Sequence, residues 1–209
     1  MTVFLMMKRV LKAVLSPFLR ANEWLQRRIL RLLGGAGFAN PYFGVGRLWT
    51  HLIVQKVFRI NSHVSWPVHW TAVVKSPEKI ERGAGCPAIG HGAYLDGRNG
   101  IIFGENVWMA SHVKIISMNH DELCYNRYVH EGPVVIGDDC LLSVDSVILP
   151  GVTLGPHTIV AAGAVVTKSF PQGNVIIAGV PAKVIRELGP YDKDYPGRRL
   201  KDIAQGIKS

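Results

Sequence analysis

Between Val134 and Lys168 an aliphatic residue returns at every sixth position, as Ile136, Leu142, Ile148, Leu154, Val160 and Val166. Cys140, Ser146, Val152, Thr158 and Ala164 follow the first five at an interval of four, and Gly137, Ser143, Gly155 and Ala161 directly follow four of them. Six is neither the helical period nor the period of a strand, and the density of Val, Ile, Gly and Pro argues against a helix. A unit this short cannot bury an apolar face alone and must stack on its neighbours. Six residues make one side of a triangle and three sides close a coil, with the aliphatic side chain inward and the small one at a corner. The expected fold is an all-β solenoid, a parallel β-helix.

The chain of 209 residues, 48% hydrophobic, is long enough for one substantial core with appendages. Its net charge of +9 would suggest nucleic acid if it were evenly spread. Instead residues 1–60 hold ten Lys/Arg against one acid, residues 61–188 nine against eleven, and residues 189–209 five against three. The imbalance sits in the N-terminal arm, which argues for an anionic surface touching that arm and against a general nucleic-acid binder. Cys86, Cys124 and Cys140 have neither paired nor metal-type spacing and read as reduced thiols, hence a cytoplasmic location. No stretch approaches the roughly 18 uncharged apolar residues of a membrane span.

Residues 1–59 form the arm and its connector. Residues 3–33 read as helix broken near Pro17, with Val3, Met7, Val10, Val14 and Phe18, then Trp24, Leu25, Ile29 and Leu32, at helical spacing, and with Lys8, Lys12, Arg20, Arg27, Arg28 and Arg31 on the remaining faces. Such a basic amphipathic helix either lies on the anionic inner face of the cell membrane or packs on protein. Gly34–Gly46 is a connector, and Arg47–Arg59 fits a second short helix. The repeat domain spans residues 60–188. It opens with Val68, Val74 and Ile80 and corner residues Ala72 and Ala84, continues through Ile89, Gly90, Ala93 and Leu95 after a three-residue slip, and resumes at Phe103, Met109 and Ile115. Between residues 117 and 133 the rhythm stops, so this polar, aromatic stretch is expected to leave the wall as a loop; residues 189–209 are a tail.

The hexads, the block IVAAGAVVTKSFP and the closing AGVPAKVIREL resemble the hexapeptide-repeat family, the left-handed β-helix acyltransferases. The resemblance covers roughly residues 60–188. It implies the left hand of the helix, a homotrimer, a short C-terminal helix or tail, and acetyl-CoA as acyl donor. Sugar O-acetyltransferases of the family carry an essential His near the start of such a loop, and His120 stands at the matching position. His120 is therefore the candidate general base for acetyl transfer to a saccharide hydroxyl, plausible in cell-surface or exopolysaccharide synthesis.

Asn119, Asp121 or a backbone carbonyl would orient the His120 ring, and the turn after Ser143 would supply an amide to the oxyanion. By resemblance, Ala162 and Gly163 offer close backbone approach to coenzyme A, Thr167 and Lys168 follow on the same ridge, and Lys183 and Arg186 meet phosphates or are solvated charges on a terminal helix. Asp96 matches an acidic acceptor-binding position or caps its own turn. Leu141 replaces a common Trp, and Ser143-Val144-Asp145 stands where glycines are frequent. His112, His120, His130 and His157 lack the convergent spacing of a zinc site, so no metal is expected. An N-acetyltransferase of an amino sugar, a serine acetyltransferase and a noncatalytic scaffold remain as alternatives.

Overall fold

The computed structural model describes residues 22–41, 43–83, 85 and 87–192; the expected helix over residues 3–21, Ala84, Cys86 and the tail from residue 193 lie outside them. Thirteen strands make three parallel walls. One contains Val73–Lys75, Tyr94–Asp96, Lys114–Ile116, Val147–Ile148 and Val165–Val166 in that order. The second runs Ile80–Glu81, Ile101–Phe103, Val134–Ile136 and Thr153–Leu154. The third runs Trp108–Met109, Leu141–Leu142 and Thr158–Val160, and continues into Val175–Gly179.

Register confirms the triangular coil. Val135 pairs with Thr153 and Val147 with Val165, each three hexads further along the chain. Ile102 pairs with Val135 and Lys114 with Val147 at nearly twice that separation, so the surplus chain leaves the wall between them. The first coils exceed three hexads by half a hexad, with Val73 pairing Tyr94 and Ile80 pairing Ile101, which accounts for the slip in the early rhythm. All six aliphatic hexad residues from Ile136 to Val166 are at most 1% exposed, and the corner residues Cys140, Ser146, Val152, Thr158 and Ala164 at most 2%. Small corners are required because the chain turns there against the neighbouring coil: a Cβ on Gly155 would collide with the Pro171 carbonyl oxygen. The Cys140 thiol, pushed up to about 11 by burial, donates to the Gly155 carbonyl at 3.3 Å.

One corner repeats a left-handed residue on successive coils, at Asn106, Asp139, His157 and Asn174. Asn and Asp tolerate this region better than most side chains, and here they also bond along the stack, Asn106 Nδ2 to Asp139 Oδ1 at 2.7 Å and His157 Nδ1 to Asn174 Oδ1 at 3.1 Å. His112 has the same backbone conformation at the next corner. Both histidines therefore serve turns.

A solenoid leaves unpaired backbone groups at its ends, and the arm covers one of them. A helix over residues 22–34 and a second over Val45–Leu52, extended by a π turn at Ile53–Val57, enclose a small core of Leu30, Phe38, Leu48 and Leu52. Gln55, fully buried, donates to the carbonyls of Asn61, Val64 and Trp66 and accepts from the Val68 amide. Asn61 donates to the His69 and Ala72 carbonyls, while rings of His51 and His63 meet those of Val68 and Val74. The opposite end is capped differently from expectation: Ala182–Glu187, read as part of a terminal helix, is a strand antiparallel to Val175–Gly179. Gly179, at φ 98°, and Pro181 turn the chain back, and the β-branched pair Val184 and Ile185 favours extension.

Gln55→Leu removes one side chain that satisfies four backbone groups while keeping the volume. It is expected to cost about 1–3 kcal/mol, the penalty for stranding buried donors and acceptors. Urea denaturation measures it, and a loss under about 0.5 kcal/mol, typical of an unremarkable surface site, would contradict the capping role.

Candidate active site

The excursion before Val134 is a hairpin rather than an irregular loop. Asn119–Asp121 runs antiparallel to Cys124–Val129, with Asn119 opposite Val129 and His120 opposite Tyr128. Asp121 closes the turn, its Oδ1 accepting from the amides of Leu123 at 2.8 Å and Cys124 at 3.1 Å, while its other oxygen meets Arg127 at 3.3 Å. A lone hairpin is marginal in water, and this one is tied to the corner of the preceding coil. Asn99 Nδ2 donates to the Val129 carbonyl at 3.1 Å, the Asn99 amide donates to Ser117 Oγ at 2.8 Å, and His130 Nδ1 lies 3.3 Å from Asn99 Oδ1.

His120 is exposed, with Nδ1 2.5 Å from the Tyr125 carbonyl oxygen. A carbonyl can only accept, so Nδ1 carries a proton, and in the neutral ring Nε2 presents its lone pair. Of the orienting groups considered from sequence, the backbone carbonyl is the one that acts. Asp121 is committed to its turn, and Asn119 occupies a hairpin pair without a side-chain bond to the ring. The imidazole lies against the Tyr128 ring at 4.8 Å between centroids, and the Arg98 guanidinium lies over the same tyrosine, 5.0 Å from its centroid.

Arg98 is held in turn by Asp96, with Nη2 to Oδ2 at 2.7 Å and Nε to Oδ1 at 2.9 Å. Asp96 is only 1% exposed and also accepts from the Arg98 amide at 3.3 Å. Its carboxylate thus caps its own turn, one of the two roles the sequence leaves open, and pairs Arg98. Burial alone would push the Asp96 carboxyl up, but the Arg98 hydrogen bonds, with the charges of Arg98 and Lys75, hold it below the usual carboxylate value.

The remaining site candidates fall on two edges of the triangular rod. Thr167 and Lys168, both exposed, follow Val165–Val166 at the corner between the first and second walls, the edge from which the His120 hairpin emerges. Ser143, Ala162 and Gly163 turn between the third and first walls, a different edge. In that turn the Ser143 amide bonds the Val160 carbonyl, those of Asp145 and Ser146 bond Ser111 and Ser143, and so none of these three is offered to an oxyanion. Gly163, at φ 68°, has open space where a Cβ would stand, which leaves the backbone accessible. Lys183 pairs opposite Ala178 and Arg186 opposite Ile176 on the capping strand, both exposed, so they are cations on a strand and not on a helix.

Among the described residues no group of three or more His, Cys, Asp or Glu is arranged to hold a metal ion. A cavity of about 270 Å³ lined by Phe43, Arg47, Arg82, Phe103 and Trp108 lies where arm meets solenoid and shares no residue with the hairpin. Sequence reasoning missed Tyr125, Tyr128, Arg98 and Asn99. The polar turn Asp96–Gly100, on the same edge one coil before the hairpin, was the available signal for the last two.

Because the folded Asp96 carboxyl sits below its unfolded value, the pair contributes fully above about pH 4 and is lost as pH falls further. Asp96→Asn should therefore be less stable than wild type by about 1.5–3 kcal/mol at neutral pH, and the gap should close on acidification below about pH 4. Urea denaturation across pH reads this; a gap independent of pH would contradict it.

The family described as bacterial transferase hexapeptide (six repeats) matches residues 133–168. A galactoside O-acetyltransferase of Escherichia coli is 39% identical over 98 residues, which are 46% of this chain and 48% of that protein. A 2,3,4,5-tetrahydropyridine-2,6-dicarboxylate N-acetyltransferase of Staphylococcus aureus is 54% identical over 55 residues, 26% of this chain and 23% of that one. The chain thus spans about half or less of the curated relatives it matches. A solved galactoside acetyltransferase in complex with coenzyme A aligns at TM-score 0.49 and 25% identity, over 81% of this chain and 88% of that one. The matched repeats, residues 133–168, are the ones that stack on one another in three-hexad register.

Proposed function

We propose that the protein transfers acetyl from acetyl-CoA to a hydroxyl of a saccharide, with Nε2 of His120 as general base. The observation that carries this reading is the bond between His120 Nδ1 and the Tyr125 carbonyl, which in the neutral ring puts the lone pair on Nε2, on an exposed hairpin. The sugar acetyltransferase among its relatives supports the acceptor class. Nε2 takes the proton of the acceptor hydroxyl as that oxygen attacks the thioester carbonyl, and returns it to the departing sulfur. Such general-base catalysis contributes on the order of 10²- to 10⁴-fold and requires no protein nucleophile. The thioester supplies the activated acetyl group.

A homotrimer fits the division of the candidates between two edges. A groove drawing on Thr167 and Lys168 from one edge and Ser143, Ala162 and Gly163 from another needs the second edge from a neighbouring copy. Exposed Trp108 and Leu141 on the third wall favour such a contact. Lys183 and Arg186 are free to meet phosphates of coenzyme A. The exposed Tyr128 ring beside His120 suits a saccharide face, and a cell-surface polysaccharide precursor remains our preferred acceptor. An amine acceptor is the second reading, favoured by the identity to an N-acetyltransferase.

His120→Ala should lower kcat for labelled acetyl transfer to a saccharide panel on the order of 10²-fold or more. Acetyl-CoA affinity should persist, and stability should change by no more than about 0.5 kcal/mol, since the residue lies outside the coils. An unchanged rate would overturn the assignment; joint loss of rate, affinity and stability would make His120 structural. Transfer to amino sugars alone would favour the second reading.

A further inference from the structure

The helix over residues 22–34 turns its polar side toward the protein. Arg27 is paired with Glu23 at 2.6 Å and donates to the Asn40 carbonyl at 2.7 Å and the Phe43 carbonyl at 3.1 Å. Gln26 accepts from Trp49 Nε1 at 3.0 Å, and Leu30 is fully buried beside them. The outward side carries Trp24, Leu25, Ile29, Leu32 and Leu33, between 37% and 84% exposed. At about 100° per residue these five share one half of the helix surface. The segment that follows the second helix repeats the pattern, with Val57 69% and Phe58 67% exposed. Apolar faces of this extent on a soluble chain mark a surface that something covers.

The charges identify the covering partner. Arg28 and Arg31 lie on or beside the apolar half of the first helix, and Lys56 and Arg59 flank Val57 and Phe58; all four are exposed. The arm's one acid, Glu23, is taken by Arg27. Arg28 stacks over Trp24 with 4.4 Å to the ring centroid, which sets a cation beside an amphipathic ring. Apolar side chains bordered by cations and one interfacial Trp match an anionic phospholipid surface, where aliphatic groups enter the acyl boundary and guanidinium groups meet phosphates.

We propose that the outward face of residues 22–34, together with Val57 and Phe58, docks the arm on an anionic phospholipid bilayer. Residues 57 and 58 belong to the same arm that caps the solenoid through Gln55, so docking would bring the first coil close to the lipid surface. The proposal does not depend on the acyl-transfer reading.

The full chain is sedimented with vesicles of phosphatidylcholine alone and of phosphatidylcholine with phosphatidylglycerol, beside two variants. One carries Leu25→Gln, Leu32→Gln and Leu33→Gln; the other carries Arg28→Gln and Arg31→Gln. Wild type should bind only the anionic vesicles, and binding should weaken with salt. The leucine variant should lose roughly tenfold or more of its partitioning, and the arginine variant about fivefold for each charge. Both should keep the melting temperature and oligomeric state of the lipid-free chain. Three results overturn the proposal: wild type ignores anionic vesicles, the leucine variant binds them undiminished, or that variant melts earlier or changes oligomeric state without lipid. The last would mean that residues 1–21 or a second copy covers the face.

Discussion

From Val73 to Val166 every wall strand is two or three residues long, too short to persist unless the coils above and below satisfy its amides and carbonyls. Stacking in register is therefore the constraint on which the structure depends. It holds each regular coil to three hexads, puts the aliphatic hexad position inward every time, and admits only small side chains where the corners of successive coils meet. Extra residues cannot be absorbed within a wall. They must leave at a corner, as the hairpin segment before Val134 does.

The same constraint gives the candidate site its rigidity. The hairpin carrying His120 is soft by itself, but its base is bonded to Asn99, and its Tyr128 packs under an arginine held by a buried carboxylate in the neighbouring coil. Loops mounted on a fixed frame are where chemistry concentrates. Here the frame extends through Asp96, Arg98 and Tyr128 to the imidazole. The ends obey the constraint differently. One is closed by Gln55 of the arm and Asn61 just after it, serving as substitutes for a coil, and the other by a strand that folds back on the last wall.

What can be read from the sequence is what repeats. The hexads from Ile136 to Val166 announce the coil, the break at Ser117 announces the excursion, and the slip near Ile89 announces the longer first coils. His120 is found because it stands where the rhythm ends. Contacts without a period stay hidden: the Tyr125 carbonyl that selects the tautomer, the Arg98 stack on Tyr128, and the backbone groups met by Gln55 depend on separations that no local pattern encodes. The strand at Ala182–Glu187 is mistaken for helix because its alternation is irregular, with a register shift opposite Ile176 and Ile177. The two-edge division of the coenzyme candidates likewise emerges only once the coil is closed.

Nitrogen NMR of the histidine-labelled protein reads the His120 tautomer directly, with the resonance assigned by comparison with His120→Gln and recorded where the ring is neutral. The Tyr125 carbonyl should hold the proton on Nδ1, so Nε2 should show the shift of an unprotonated imidazole nitrogen. A neutral ring protonated on Nε2 would leave no base facing the acceptor and would contradict the mechanism.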